Sequence, residues 1–416
     1  VLDYGRMIMP AIRIDREGLE TATETARRQV ESVGPAGFII FGGQAEAVAA
    51  LTADLRARAG RPLLFGADLE RGAGQQFAGL TELPTPMAIA ACPEAEVLAR
   101  LAGETTAREA LSVGVNLVFA PVCDVNTEAR NPIINVRGFS NDAERVARLA
   151  AAWIAGAQAC GGLCCAKHFP GHGAAVGDSH LELPAGVADK EELLNVHLAP
   201  FRAAIGAGVS AIMTAHITVP ALGETGAATL SMAVVGDLLR EELGFTGLVI
   251  TDALIMSGIG VSEEEAAVRA LKAGCDLLLY PSEPEKVKAA LEYAQLDLRL
   301  KSVRHAAVRQ RLERGSTVAP AQVEAARRIA QEAVTLLDGA VRRPERFLIL
   351  CDNERLDPEP FRRVLRAAGL TEVTEAATGD PALVVAVFSF PAAWRGTSVG
   401  ATSEASSRAM FGGQQA

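Results

Sequence analysis

Lys167, His168, His172, Asp178 and His180 crowd into one stretch, CAKHFPGHGAAVGDSHLELP (residues 165–184), which holds three of the chain's six histidines. Three kinds of chemistry fit these residue types. His168, His172, Asp178 and His180 are all possible zinc ligands. The spacing matches no H-E-x-x-H pattern, however, and Pro170-Gly171 prevents a helix that would set two histidines on one face. Loop residues can still build a metal site, so that reading stays open. Proton transfer is the second: Asp178 and His180, two apart on a glycine-bearing loop, allow the carboxylate to hold the imidazole N–H, fixing its tautomer and raising its basicity. The third is plain packing, a turn held by backbone hydrogen bonds, and it competes for His172 in particular.

Such side chains need elements to position them. Eight apolar runs recur along the chain: MIMPAI (7–12), GFIIFG (37–42), PLLFGAD (62–68), NLVFAPVCDV (116–125), GLCCAKHF (162–169), SAIMTAHI (210–217), GLVITDAL (247–254) and CDLLLYP (275–281). They do not alternate polar with apolar, which marks strands buried on both faces of a parallel sheet. Stretches with apolar residues three and four apart lie between them, among them 22–34, 45–60, 93–114, 141–162, 190–208 and 262–274, and several end in glycine. The alternation predicts a (β/α)8 TIM-like barrel. A doubly wound sheet is the rival, but no G-x-G-x-x-G turn follows the first strand.

Asp68, Asp124, the Lys167-His168 pair, His216 and Asp252 each close an apolar run. In a barrel those ends meet at one mouth. An aspartate ending a wholly apolar strand is costly unless it is paired or used, which singles out Asp252. A carboxylate facing an acid/base group across a sugar is the ground plan of retaining glycoside hydrolysis, although a histidine in the second role departs from the usual pair of carboxylates. Asp124 and His216 read equally well as structural hydrogen-bonding residues, and Glu70 with Arg71 as a local surface pair.

The chain has 416 residues, 49% of them hydrophobic, and 40 basic against 50 acidic side chains give a net charge of −10. That length predicts a barrel over 1–315, a linker and helix over 316–339, and a small C-terminal α/β domain over 340–416, where RFLILCD and ALVVAVFSF are the buried runs. The acidic balance argues against nucleic acid or an anionic membrane as partner. No apolar stretch is long enough to span a bilayer. Seven cysteines, an odd number without a Cys-x-x-Cys pair, read as buried thiols of a reducing compartment. The opening VLDYGRMIMPAIRIDREG, which begins with Val, carries acids early and no signal-peptide pattern, so the expected location is cytoplasmic.

Taken in order, AKHFPGHG, the following Asp178-Ser179-His180, IMTAHITVPALG and LGFTGLVITDALIM resemble glycoside hydrolase family 3, and more narrowly its β-N-acetylglucosaminidase branch. The resemblance covers most of residues 1–315. It implies a retaining exo-β-glycosidase acting on terminal β-N-acetylglucosamine, for instance in peptidoglycan fragments, without metal or organic cofactor. Asp252 would be the nucleophile and His180 the acid/base, held by Asp178. Lys167, His168 and Asp68 would grip sugar hydroxyls, and Arg137 in INVRGFS would position the sugar and its N-acetyl environment. Two departures stand out: Ala174-Ala175 replaces the usual Asp-Thr, and Gln76 stands where a sugar-contacting arginine is expected. Within the family, a β-glucosidase, a β-xylosidase or a phosphorylase is the alternative. Outside it, a metal-dependent barrel hydrolase or a non-catalytic sugar-binding protein is.

Overall fold

The computed structural model describes residues 3–297 except 180, together with 301, 304, 346–351, 366, 371–372 and 383–388. All eight apolar runs of the barrel region carry strands. They are β1 (Ile8–Met9) and β2 (Ala11–Arg13), one run interrupted at Pro10, then β3 (Gly37–Phe41), β4 (Leu64–Ala67), β5 (Leu117–Val118), β6 (Leu163–Phe169), β7 (Ala211–Thr214), β8 (Leu248–Ile250) and β9 (Leu278–Leu279). From β2 to β8 the strands lie side by side in chain order, every pair parallel. The ring closes because β1 pairs with β9, Ile8 opposite Leu278, while Leu277 bridges Ile250 of β8. Parallel neighbours joined through helices are what a barrel requires.

Two apolar layers follow from the period of two along each strand. Met9, Ile39, Leu64, Leu117, Phe119, Cys165, Met213, Leu248 and Ile250 turn inward and fill the barrel as one cluster. Their neighbours Ile12, Ile40, Phe65, Val118, Cys164, Ile212 and Val249 turn outward into the larger cluster shared with the helices. This two-sided burial is why the runs are continuous.

The helices Leu19–Ser32, Ala45–Ala59, Ala95–Ser112, Ala143–Ala159 and Glu263–Ala273 fall within or beside the predicted stretches. Asp142 and Ser262 cap two of them, each accepting the backbone N–H three residues on. The stretch 190–208 breaks into Lys190–Glu192, a π-type segment Leu193–His197 and Ala199–Gly206. The two longest helical segments not read from the sequence are Ala233–Glu242 and Pro284–Ala294. The first carries Gly236, a weak helix former that blurs the periodicity.

The chain divides into two compact units, Val1–Thr335 and Leu336–Ala416. Of the second unit, strands β10 (Arg346–Cys351), β11 (Thr371–Glu372) and β12 (Leu383–Phe388) form a parallel sheet in the order β11-β10-β12. The sequence also reads as helical at KSVRHAAVRQRLERG (301–315) and PEPFRRVLRAAG (358–369); these stretches and the helix expected within 316–339 lie outside the described residues, apart from Lys301, Arg304 and Arg366. Among the described residues, no helix is long and apolar enough to cross a membrane.

Candidate active site

At the C-terminal end of β6, the register against β7 shifts between Ala166 and Phe169. Regular alternation would send Lys167 and His168 to opposite faces, and a bulge removes that constraint. The two side chains reach separate carboxylates. Lys167 Nζ lies 2.7 Å from Asp68 Oδ1 and 2.7 Å from Glu70 Oε1. His168 Nδ1 lies 2.7 Å from Asp124 Oδ2, which leaves Nε2 as the ring nitrogen facing away from that carboxylate.

Glu70 is the floor of this group. Its side chain is only 2% exposed and receives two guanidinium bonds, Arg137 Nη2 at 2.7 Å and Nε at 2.9 Å, besides the lysine. Burial opposes its charge, but Arg137 and Lys167 outweigh it and hold the carboxyl far below the usual range. Burial likewise opposes the charge of Lys167, and the Asp68 and Glu70 carboxylates raise its pKa all the same. Arg137, also opposed by burial, is held charged chiefly by Glu70. The surface-pair reading of Glu70 with Arg71 is therefore wrong. Arg71 pairs instead with Glu82, at 2.9 Å, and Glu70 fixes two cations that project toward the barrel mouth. Its alternate position two residues after Asp68 was the available signal.

Asp124, wholly buried, organises the next layer. It accepts the His168 and His172 backbone N–H groups, the latter at 2.6 Å, as well as the His168 ring. Burial works to raise its pKa, and His168 and then His172 lower it by more. The Asn131 side chain donates to the His172 carbonyl at 2.8 Å. Gly173 brings the backbone so close to Val125 that a side-chain carbon would fall 1.9 Å from the Val125 carbonyl oxygen. His172 is thus held by side chains of distant segments as well as by a local turn, its carbonyl accepting the Ala175 N–H at 3.1 Å. Its Nε2 lies 3.0 Å from Ser179 Oγ, and burial pushes its pKa down to about 4.

Asp252 follows β8 and is half-buried, its Oδ1 accepting the Ala253 N–H at 2.8 Å. His216 steadies that turn: its Nε2 reaches the Ala253 carbonyl at 3.1 Å, so this nitrogen carries the proton, and Nδ1 meets Thr229 Oγ1 at 2.9 Å. Asp124 and His216, undecided in the sequence, are positioning groups for the mouth.

The structure therefore brings Asp68, Arg137, Lys167 and His168 together. Asp178 is half-buried, and its carbonyl accepts the Leu181 and Glu182 N–H groups at 2.9 Å. His180 lies outside the described residues. Of the two departures, Ala175 packs into the outer core and Gln76 Oε1 accepts the Gly42 N–H at 3.2 Å, so both serve the framework. Among the described residues, no three of His, Cys, Asp and Glu are arranged as a metal ligand set. The arrangement offers charged donors and acceptors to a polyol from one side and a carboxylate from another.

Comparison with known proteins places the chain in a family. A β-N-acetylglucosaminidase/β-glucosidase from Cellulomonas fimi is 37% identical over 248 residues, 57% of this chain and 44% of that protein. A β-hexosaminidase from Actinobacillus succinogenes is 36% identical over 300 residues, 70% of this chain and 86% of that one. Among solved structures, a glycoside hydrolase family 3 β-N-acetylglucosaminidase from Paenibacillus sp. str. FPU-7 superposes with a TM-score of 0.81 at 32% identity, over 92% of this chain and 79% of the other. The family model described as the glycosyl hydrolase family 3 N terminal domain matches residues 7–318, and with a polar mouth built from β4, β6 and β8 to go with it, this chain belongs to glycosyl hydrolase family 3.

Proposed function

We propose that the protein is a retaining exo-β-glycosidase that releases terminal β-N-acetylglucosamine. The observation that carries this reading is the convergence of the Lys167–Asp68–Glu70–Arg137 network and the His168–Asp124 pair on the mouth where Asp252 ends its strand. Lys167, Asp68, Arg137 and His168 Nε2 bind the terminal sugar. The Asp252 carboxylate attacks the anomeric carbon while the bond to the leaving oxygen breaks, and His180, oriented by Asp178, gives that oxygen a proton. Water, deprotonated by the same imidazole, then attacks the anomeric carbon and frees Asp252, with net retention. The β-hexosaminidase names of relatives support the choice of sugar. Peptidoglycan fragments are the proposed source of substrate. The cytoplasm is the proposed location, supported by the burial of six cysteines among the described residues.

The test is the initial rate on chromogenic β-N-acetylglucosaminide and β-glucoside, each with and without EDTA. Cleavage of the first alone, unaffected by chelator and absent in Asp252→Ala, is expected. Preference for the glucoside would move the substrate assignment. Loss of rate in EDTA, or an active Asp252→Ala variant, would overturn the mechanism.

A further inference from the structure

Ser179 stands between Asp178 and His180 in the chain, yet its own side chain is buried, the residue being 2% exposed. Its hydroxyl lies 3.0 Å from His172 Nε2, and its carbonyl accepts the Gly258 N–H at 3.2 Å. Gly258 belongs to the loop that follows Asp252. A side-chain carbon at Gly258 would sit 2.2 Å from the Ser179 carbonyl oxygen and 2.6 Å from that of Glu182, so the two loops touch backbone to backbone. The other half of the hydroxyl contact cannot give way, because His172 is pinned through its N–H to Asp124 and through its carbonyl to Asn131. Burial keeps the His172 ring neutral, with a pKa of about 4, so the contact keeps one character across the neutral range.

We propose that Ser179 is a positioning residue for the proton transfer. Its hydroxyl on His172 and its carbonyl on Gly258 latch the loop bearing Asp178 and His180 to the frame that carries Asp252. The inference rests on the reading of Asp178 and His180 as the acid/base pair. The latch fixes how far the proton donor stands from the leaving oxygen, and a displacement of about 1 Å in such a group costs on the order of a hundredfold in rate. A serine that only fills a polar hole would change stability without regard to the leaving group.

Leaving-group dependence separates the two. An alkyl β-N-acetylglucosaminide needs a proton on its departing oxygen, whereas a dinitrophenyl one departs without it. Ser179→Ala is expected to lower kcat/KM on the alkyl substrate by about tenfold to a hundredfold, and on the dinitrophenyl substrate by less than about threefold. Gly258→Ala, which pushes on the same carbonyl from the opposite side, is expected to show the same split, and it decides the matter if Ser179→Ala fails to fold. Asp178→Ala is the reference. Should it show the split while Ser179→Ala and Gly258→Ala lose activity equally on both substrates or on neither, the latch is refuted and the acid/base reading stands. Should Asp178→Ala itself show no split, the acid/base reading falls and the latch falls with it.

Discussion

Replacing Glu70 by glutamine keeps the volume and shape of the side chain and removes the negative charge between two buried cations. In the native arrangement that carboxylate receives two bonds from Arg137 and one from Lys167, with its side chain 2% exposed. Glu70→Gln puts an amide NH2 against at least one of these donors and leaves Arg137 without its main counter-charge. Breaking one side of a buried ion pair costs about 3–5 kcal/mol, and the lower end is the expectation here because Lys167 retains Asp68 at 2.7 Å. The pH dependence sharpens the test. The folded-state pKa of Glu70 lies below the ordinary 4.5, so its stabilisation is complete above that pH and declines below it, where the unfolded chain takes up a proton that the folded carboxyl refuses. The glutamine variant has no such proton to take up. The stability gap between wild type and variant should therefore be constant above about pH 5 and close by about 1.4 kcal/mol per pH unit below about pH 4. Urea unfolding followed by circular dichroism at several pH values reads both quantities, with an unchanged slope as the check that only stability has moved. A gap under about 1 kcal/mol at neutral pH would refute the reasoning, as would a gap that ignores pH between about 5 and 3.

Asp124→Asn should turn a triple acceptor into one that meets donors with a donor. A loss of about a hundredfold in kcat/KM is expected, together with a lower thermal midpoint, measured by steady-state kinetics and calorimetry. His172→Gln should flatten the pH–stability curve on the acid side. The folded histidine at about 4 lies below its ordinary 6.5, so the unfolded chain binds the proton first, and wild type should lose about 3 kcal/mol through this residue as pH falls across that window. Urea midpoints between these pH values check it. His216→Ala should loosen the Asp252–Ala253 turn and lower kcat by about tenfold with KM little changed, read from initial rates.

Much of the barrel was legible because burial on both faces leaves no alternation to misread, and even the two-residue β5 announced itself in NLVFAPVCDV. Pro121, which has no N–H for the ladder, interrupts pairing that resumes as a bridge between Val122 and Lys167. Lys167, Asp68 and Asp252 stood out for a related reason: charge at the end of an apolar strand must be paired or used, and Lys167 is paired, with Asp68 and Glu70. Glu70 did not, because the neighbour in sequence, Arg71, offers an obvious partner while the true one is Arg137, 67 residues away. Asp124 and His216 suffered likewise, their partners lying 44 and 37 residues off along the chain. Ion pairing between distant segments is a property of the closed ring, and periodicity along one strand carries no trace of it.

The packed interior of the barrel bears on how a polymer would be handled. Met9, Leu64, Phe119 and Met213 plug the space beneath the polar mouth, so the barrel itself offers no passage to its far end. A glycan cannot be threaded through the barrel, and a sugar held at the mouth leaves on the side from which it came.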